Sequence, residues 1–179
     1  MSDDSSRLSE RAARLRREFD DAFARPPVLD QVGSTELLVI RVGPDPHAIR
    51  LAEIAGLHAD RCITRFPGPL PELLGLVSLR GALVPVYDLR LLLGYTAASS
   101  PPRWMVVAAA TPVGLAFDQL EGHVTVQAGA IVAELAPGTG RTQPRDVVHG
   151  SNGARSILLH VPSLVNEIAA RDRRARKEH

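Results

Sequence analysis

Cysteine is almost absent from this chain, which has only Cys62 among 179 residues. A single cysteine excludes an internal disulfide framework and fits a reducing cytoplasm. Long apolar runs are also lacking, because the best candidate, LLVIRV, is far shorter than the roughly 20 residues of a membrane span. The polar N-terminus MSDDSSRLSE does not resemble a signal peptide. The sequence therefore predicts a cytoplasmic protein with no direct membrane insertion.

Aromatic residues and net charge are low as well. Aromatic residues make up 4% of the chain, and the formal net charge is +1. Proteins that bind single-stranded nucleic acid combine aromatic platforms with basic surfaces, and no basic residues interleave with these aromatics. We therefore expect no nucleic-acid partner, and we interpret the basic tail RDRRARK as a solvated terminus.

Catalytic and metal-binding motifs are missing too. The chain contains no HExxH, CxxC, GxGxxG, GxxxxGK or GxSxG, and its six histidines are scattered. Cys62 has two arginines nearby but no histidine partner in the sequence, so we expect a small buried residue there. The sequence predicts a protein that is not an enzyme and that has no cofactor and no metal site.

Short runs of Val, Ile and Leu, broken by Gly and Pro, dominate the chain from about residue 36. Examples are ELLVIRV, LVSLRG, ALVPVYDL, RWMVVAAA and RSILLHV. Runs of this length with turn signals between them favour an all-β barrel or sandwich. We expect short helices at LAEIAGL and after Asp88, and a longer one in PSLVNEIAARDRRARK that buries Leu164, Val165 and Ile168.

The N-terminal region has a different pattern. Apolar residues recur every three or four positions from Leu8 to Phe23, which is typical of an amphipathic helix, and Pro26 cannot continue it. We divide the chain into an N-terminal helix and tail (1–27), a linker (28–35), the β domain (36–168) and a basic C-terminal tail (169–179).

The apolar segment LLGLVSLRGALVPVYDLRLLLG contains Arg80 and, eight residues later, its single acidic residue, Asp88. Arginine stays protonated and cannot serve as a proton donor in turnover, which leaves a structural or docking role. Asp88 precedes a leucine run and has the position of an N-cap. The segment VVHGSNGARSILLHVPSLV echoes this stretch, with Gly150 in the place of Gly75 and His160 in the place of Asp88.

These residues resemble the CheW family of bacterial chemotaxis coupling proteins. GLVSLRGALVPVYDL is similar to the family pattern G-x-x-N-L-R-G-x-x-x-P-x-x-D-L, and VGLAFDQLEG is similar to G-L-x-V-D-x-V. The resemblance implies a mainly β fold of two small five-stranded SH3-like barrels that share an apolar core. The N-terminal and C-terminal helices are additions to it. The implied function is a non-enzymatic adaptor between the cytoplasmic tip of chemoreceptors and the regulatory domain of a CheA-type histidine kinase, recruited to membrane-associated receptor arrays.

The resemblance also assigns roles to individual positions. It implies partner binding at Ile54, Leu57, Gly75, Ser78, Leu79 and Arg80. It implies structural roles for Glu53, Gly81, Asp88, Gly114 and Asp118. Three of the partner-binding positions have a simpler interpretation as well: Ile54 as core, Gly75 as a residue with positive φ, and Arg80 as a member of a local ion pair.

The chain departs from the family pattern at three positions. Gly56 stands where the family usually has the glutamate that pairs with the motif arginine, Ser78 where it often has asparagine, and His160 where it often has aspartate. Glu53 would substitute for the missing glutamate if its segment is helical. An alternative is therefore an adaptor of a non-motility chemosensory pathway with an atypical receptor. A β-barrel that binds a small molecule or catalyses a reaction would need a polar pocket with a titratable cluster.

Overall fold

The computed structural model describes residues 33–68, 70–97, 100–135, 144–149 and 155–177. The predicted N-terminal helix (1–27) and residues 28–32 of the predicted linker lie outside the described residues. From Thr35 onward the chain belongs to one unit.

The Val, Ile and Leu runs form strands, and the predicted mainly β class is confirmed. The described residues contain eleven strands: β1 (Ser34–Val42), β2 (Asp45–Arg50), β3 (Ile54–Ala59), β4 (Leu73–Leu79), β5 (Ala82–Asp88), β6 (Trp104–Ala108), β7 (Gly114–Phe117), β8 (Gln119–Gln127), β9 (Ile131–Leu135), β10 (Pro144–His149) and β11 (Arg155–Leu159).

The strands form two sheets, and the arrangement of strands within one sheet is similar to that within the other. One sheet has five strands in the order β3-β6-β7-β5-β4, and the other has six in the order β8-β1-β2-β11-β10-β9. In the first sheet β5 runs parallel to β7, and in the second β11 runs parallel to β2. The chain enters the six-stranded sheet with β1 and β2, builds the other sheet with β3 to β7, and then returns. The five-stranded sheet is therefore one continuous segment of the chain, whereas the six-stranded sheet is formed by the segments before and after it.

Three apolar clusters fill the fold, and the largest contains residues of both sheets. The cluster shared by the sheets includes Leu38, Ile40, Val106, Leu115 and Phe117. A second cluster lies within the five-stranded sheet, with Val77, Val84, Val86, Met105, Val107 and Ala116. A third lies within the six-stranded sheet, with Leu37, Ala48, Val126, Val148 and Leu158. The predicted apolar core shared by two β-subdomains is therefore present.

Two α-helices follow strands: α1 (Leu89–Leu92) after β5, and α2 (Val161–Ala175) after β11. The predicted burial on α2 is observed, because Ile168 is buried and Leu164 and Val165 pack against the shared core. Helix α2 includes residues 169–175 of the segment expected as a basic tail. No helix in the described part of the chain is long and apolar enough to span a membrane.

The predicted helix at LAEIAGL is wrong. A 3-10 turn at Leu51–Glu53 is followed directly by β3, whose residues pair with β6 from Ile54↔Ala108 to Ala59↔Trp104. Pairing with a neighbouring strand overrides the local helical preference of Leu, Ala and Glu. The carboxylate of Glu53 is therefore placed by a tight turn rather than by a helix.

The internal echo corresponds to a repeated structural unit. Asp88 ends β5 and caps α1, and His160 follows β11 and caps α2. In both places a side chain accepts a hydrogen bond from a backbone N–H of the first turn, namely that of Arg90 and that of Ser163. Aspartate and histidine therefore perform the same local task at equivalent ends of the two sheets.

Candidate docking surface

Arg80 and Gly81 form the tight turn between β4 and β5. Leu79 pairs with Ala82, so the hairpin loop has two residues, and both have positive φ, +50° at Arg80 and +84° at Gly81. Two positive φ values are the mark of a type I′ turn, whose twist suits the flanking strands. The turn leaves Arg80 exposed at the end of the hairpin.

Arg61 and Arg80 both act electrostatically on His58. Burial lowers the pKa of His58 in β3, and the charges of Arg61 and Arg80 lower it further. Neither Arg61 nor Arg80 has a carboxylate partner among the residues that the structure describes.

The carboxylate of Glu53 interacts with residues other than Arg80. Its Oε2 accepts a 2.7 Å hydrogen bond from the backbone N–H of Val161, the first residue of α2. Its Oε1 lies 3.3 Å from Nη1 of Arg50 and 3.7 Å from Nε2 of His160. The carboxylate thus joins the β2–β3 junction to the start of α2, and it does not replace the missing glutamate beside Arg80.

Gly75 is buried in β4 under the chain that follows β3. Its φ is +148°, and a Cβ there would overlap the carbonyl oxygen of Thr64 and lie 2.7 Å from its carbonyl carbon. Thr64 and Leu76 exchange two backbone hydrogen bonds of 2.8 Å at this point. The close approach explains why glycine is needed, and partner binding by Gly75 stays a prediction.

The other predicted contact residues face different environments. Ile54 packs against the shared core, and Leu79 packs against the cluster within the five-stranded sheet. Leu57 is 36% exposed in β3, and Ser78 is exposed in β4. Leu57, Ser78 and Arg80 are therefore accessible to a partner, whereas Ile54, Leu79 and Gly75 support the strands that carry them.

Asp88 is the N-cap of α1, as predicted. Its Oδ1 accepts a 2.9 Å hydrogen bond from the backbone N–H of Arg90. Burial raises the pKa of the Asp88 carboxyl, backbone hydrogen bonds from Arg90 and Leu91 oppose the rise, and the nearby charge of Asp118 adds to it. The charged form of Asp88 is therefore disfavoured in the folded protein.

This shift predicts the effect of Asp88→Asn. The folded protein holds the Asp88 proton to higher pH than the unfolded chain, so its stabilisation is full below the ordinary value of 3.8 and is lost as pH rises through the folded pKa. Asparagine keeps the oxygen that caps Arg90 and carries no charge. We expect Asp88→Asn to be at least as stable as the wild type at pH 7 in urea unfolding, with the difference shrinking towards pH 4. Asp88→Ala is the control and should be about 1 kcal/mol less stable than Asp88→Asn at both pH values, because both variants lack the titrating carboxyl and only Asn keeps the cap. A loss for Asn equal to that for Ala would contradict this account.

Gly114 and Asp118 have packing and bracing roles, in line with their predicted structural class. A Cβ at Gly114 would lie 2.7 Å from Sδ of Met105 and 3.1 Å from Val86, so glycine lets β7 pack closely. Asp118 Oδ2 accepts a 2.9 Å hydrogen bond from the backbone N–H of Gly43 and lies 3.5 Å from Nε of Arg90. Asp118 therefore links the β1–β2 turn to α1.

A comparison with known protein families shows which family the chain belongs to. A family model described as the CheW-like domain matches residues 36–169, which is more than half of the chain. The chain belongs to the CheW-like family.

Relatives and a solved structure agree with this membership. A probable chemotaxis protein CheW of Rhizobium etli is 28% identical over 97 residues, and a chemotaxis protein CheW of Rhizobium meliloti is 29% identical over 97 residues. Each match covers 52% of this chain and 63% of the relative. The scaffolding protein TtCheW of Thermoanaerobacter tengcongensis has a TM-score of 0.60 at 17% identity, covering 70% of this chain and 88% of that one. At that identity the likeness shows a shared CheW fold.

Two features of this CheW-like chain were not predicted from the sequence. Glu72 is buried and pairs with Arg171 of α2 at 2.5 Å, although 99 residues separate them. No periodicity or motif marks such a pair in the sequence. The expectation that Cys62 is buried is wrong, because it is exposed in the segment that crosses from β3 towards β4. That segment places its backbone against Gly75 and leaves the Cys62 side chain outside.

Within the described residues, no group of three or more His, Cys, Asp or Glu side chains could hold a metal ion. The apolar clusters within the two sheets consist of Val, Leu, Ala and Met, with His47 and Ser156 as buried polar residues of the six-stranded sheet.

Proposed function

We propose that this chain is a non-enzymatic adaptor that couples chemoreceptors to a CheA-type histidine kinase in chemotaxis signalling. The observation that carries the proposal is the match of residues 36–169 to the CheW-like family. The apolar interior of both sheets supports an adaptor over a β-barrel with a small-molecule or catalytic pocket, which would need polar lining. The adaptor would be cytoplasmic and recruited to membrane-associated receptor arrays.

The exposed side chains suggest how docking would work. Leu57 offers apolar contact area, Ser78 offers a hydroxyl, and Arg80 offers a planar fork of donors on a rigid turn. The partners would be the regulatory domain of the kinase and the cytoplasmic tip of the receptor. Because the surface is small and partly polar, we expect moderate affinities that strengthen when both partners are present.

One observation favours a second candidate, an adaptor of a non-motility chemosensory pathway with an atypical receptor. The family resemblance implies a glutamate where Gly56 stands, and Arg80 has no carboxylate partner in the described part of the chain. A changed receptor-facing surface would suit a changed receptor. Reconstitution with each kinase and receptor encoded by the same genome would separate the two candidates, because only the cognate set should assemble.

The adaptor proposal is tested by titrating the chain with the regulatory domain of the cognate CheA-type kinase in a calorimeter. We expect a dissociation constant of tens of micromolar or tighter, which corresponds to at least about 6 kcal/mol. A receptor fragment added to the complex should co-sediment with it. Absence of binding to every CheA-type regulatory domain of the genome would overturn the proposal.

Arg80→Ala should separate docking from folding. We expect ternary assembly with receptor and kinase to weaken about tenfold in co-sedimentation, since one charged contact of about 1.4 kcal/mol is lost. The melting temperature should change little, because Arg80 is exposed and makes no ion pair with the described residues. Arg174→Ala, which removes an exposed arginine from α2, is the matched control. Unchanged assembly with a sharply lower melting temperature would show that Arg80 is structural.

A further inference from the structure

A histidine caps helix α2, at a position where Ser, Thr, Asp or Asn is preferred. Nδ1 of His160 accepts a 3.3 Å hydrogen bond from the backbone N–H of Ser163 and lies 2.7 Å from Oγ of the same residue. A neutral imidazole can accept at one of its nitrogens, and a protonated imidazole can accept at neither. The cap therefore requires a neutral His160 whose proton is on Nε2.

The equivalent cap of α1 has no such requirement. Asp88 accepts from the backbone N–H of Arg90 through a carboxyl oxygen, and a carboxyl group keeps an acceptor oxygen with or without its proton. Histidines generally acquire their charge between about pH 8 and about pH 5. The His160 side chain is 55% exposed, so protons from solvent reach it directly. Of these two caps, that of α2 alone is removed by protonation.

The carboxylate of Glu53 is the charge closest to the outer nitrogen of His160. Its Oε1 lies 3.7 Å from Nε2 of His160 and would favour the charged imidazole. The same oxygen lies 3.3 Å from Nη1 of Arg50, whose Nη2 lies 3.8 Å from Oδ2 of Asp146 in β10. Because Arg50 already offsets this carboxylate, and a partly exposed ion pair is worth little, Glu53 is a weak counter-charge for His160.

Groups on three other elements surround His160 at a cavity of about 230 Å³. His47 of β2, Tyr95 after α1 and Glu167 of α2 line this cavity together with His160. Glu167 lies 2.6 Å from Nη2 of Arg171, so its charge is also offset. The positive end of the α2 dipole lies at His160 and opposes a cation there. The balance therefore favours the neutral imidazole, and protonation acts against the cap.

We propose that His160 is a pH-sensitive cap, whose protonation withdraws the acceptor from Ser163 and loosens the first turn of α2 on the shared core. Val161 in that turn is fully buried and Leu164 packs against the shared core, so the cap acts on the contact between α2 and the sheets. The N–H of Ser163 also lies 3.1 Å from the carbonyl oxygen of His160, so the turn opens more often without unfolding outright. The stabilisation is full where the imidazole is neutral and is lost as the pH falls. The inference does not depend on the proposed adaptor function.

Amide hydrogen exchange of the full chain tests this proposal at about pH 7.5 and about pH 5.5, on either side of the usual titration of histidine. Each rate is divided by the intrinsic exchange rate of the unfolded peptide at the same pH, which gives a protection factor. We expect the protection of Ser163 and Leu164 to fall roughly fivefold at the lower pH, the factor that corresponds to a cap of about 1 kcal/mol. Ile168 should change less, because it lies beyond the first turn of α2. Imidazole ¹⁵N shifts should place the proton of neutral His160 on Nε2.

Three variants assign the effect to His160. His160→Asn keeps a neutral acceptor, so its protection should be the same at both pH values, whereas His160→Ala should be poorly protected at both. His123→Ala removes a histidine that lies 3.9 Å from Glu36, and it should respond to pH as the wild type does. An equal response in the wild type and His160→Asn would assign the pH dependence to another group, such as His47, and overturn the inference. A rise in protection at the lower pH, which would mean that pairing with Glu53 outweighs the cap, or a proton on Nδ1 of neutral His160 would overturn it as well.

Discussion

Gly75→Ala is expected to destabilise the protein by about 4 kcal/mol, the middle of the range given by backbone strain of about 1–3 kcal/mol and overpacking of similar size. The new Cβ would overlap the carbonyl oxygen of Thr64, which is backbone and cannot rotate away. Relief would require breaking the two hydrogen bonds between Thr64 and Leu76. Since total stabilities are about 5–15 kcal/mol, we expect a melting temperature lower by roughly 10 °C or a chain that does not fold.

Gly81→Ala is the matched control for this prediction. Gly81 also has positive φ, +84°, but nothing lies within 4 Å of the Cβ that alanine would add. Its cost should be only the strain of the backbone, about 1–2 kcal/mol in urea unfolding. Equal losses for the two variants would show that the contact with Thr64 yields easily. A stable Gly75→Ala variant that no longer binds the kinase domain or the receptor would instead support partner binding by Gly75.

Features that depend on neighbours in sequence could be predicted. Asp88 was identified as an N-cap because it ends an apolar strand and precedes a leucine run, and the cap is present. The Arg80-Gly81 turn and helix α2 follow from equally local patterns. The mainly β class follows from the short Val, Ile and Leu runs, since each run has the length and turn signals of a strand.

Features that depend on distant partners could not be predicted. The segment LAEIAGL carries helical residues, and only its pairing with β6 makes it a strand after Glu53. The return of the chain to the six-stranded sheet after β7 leaves no local signal in the sequence. The partner of Glu53 lies 108 residues away at Val161, so no spacing rule relates the two.

Glu53→Ala is expected to cost about 3 kcal/mol, the second largest effect. The N–H of Val161 belongs to a residue with 0% exposure, so losing its acceptor leaves a buried donor unsatisfied. An unsatisfied buried group costs about 1–3 kcal/mol, and a hydrogen bond to a charged acceptor is worth about 1.5–3 kcal/mol. The carboxylate also faces the positive end of α2, where an anion is favourable. Urea unfolding should show the loss, and amide exchange at Val161 should accelerate.

Two comparisons decide whether the loss arises at Val161. Glu53→Gln keeps an oxygen that can accept from Val161, so it should lose less than Glu53→Ala, the difference being about 1 kcal/mol. Glu121→Ala removes a carboxylate that pairs with Arg41 at the surface, where the two side chains are 26% and 39% exposed, and it should cost under about 1 kcal/mol. If Glu53→Ala costs no more than Glu121→Ala, the link to α2 contributes nothing to stability. A Glu53→Ala variant that keeps its stability and loses ternary assembly would place Glu53 on the docking surface, because only a contact made with a partner would then be missing.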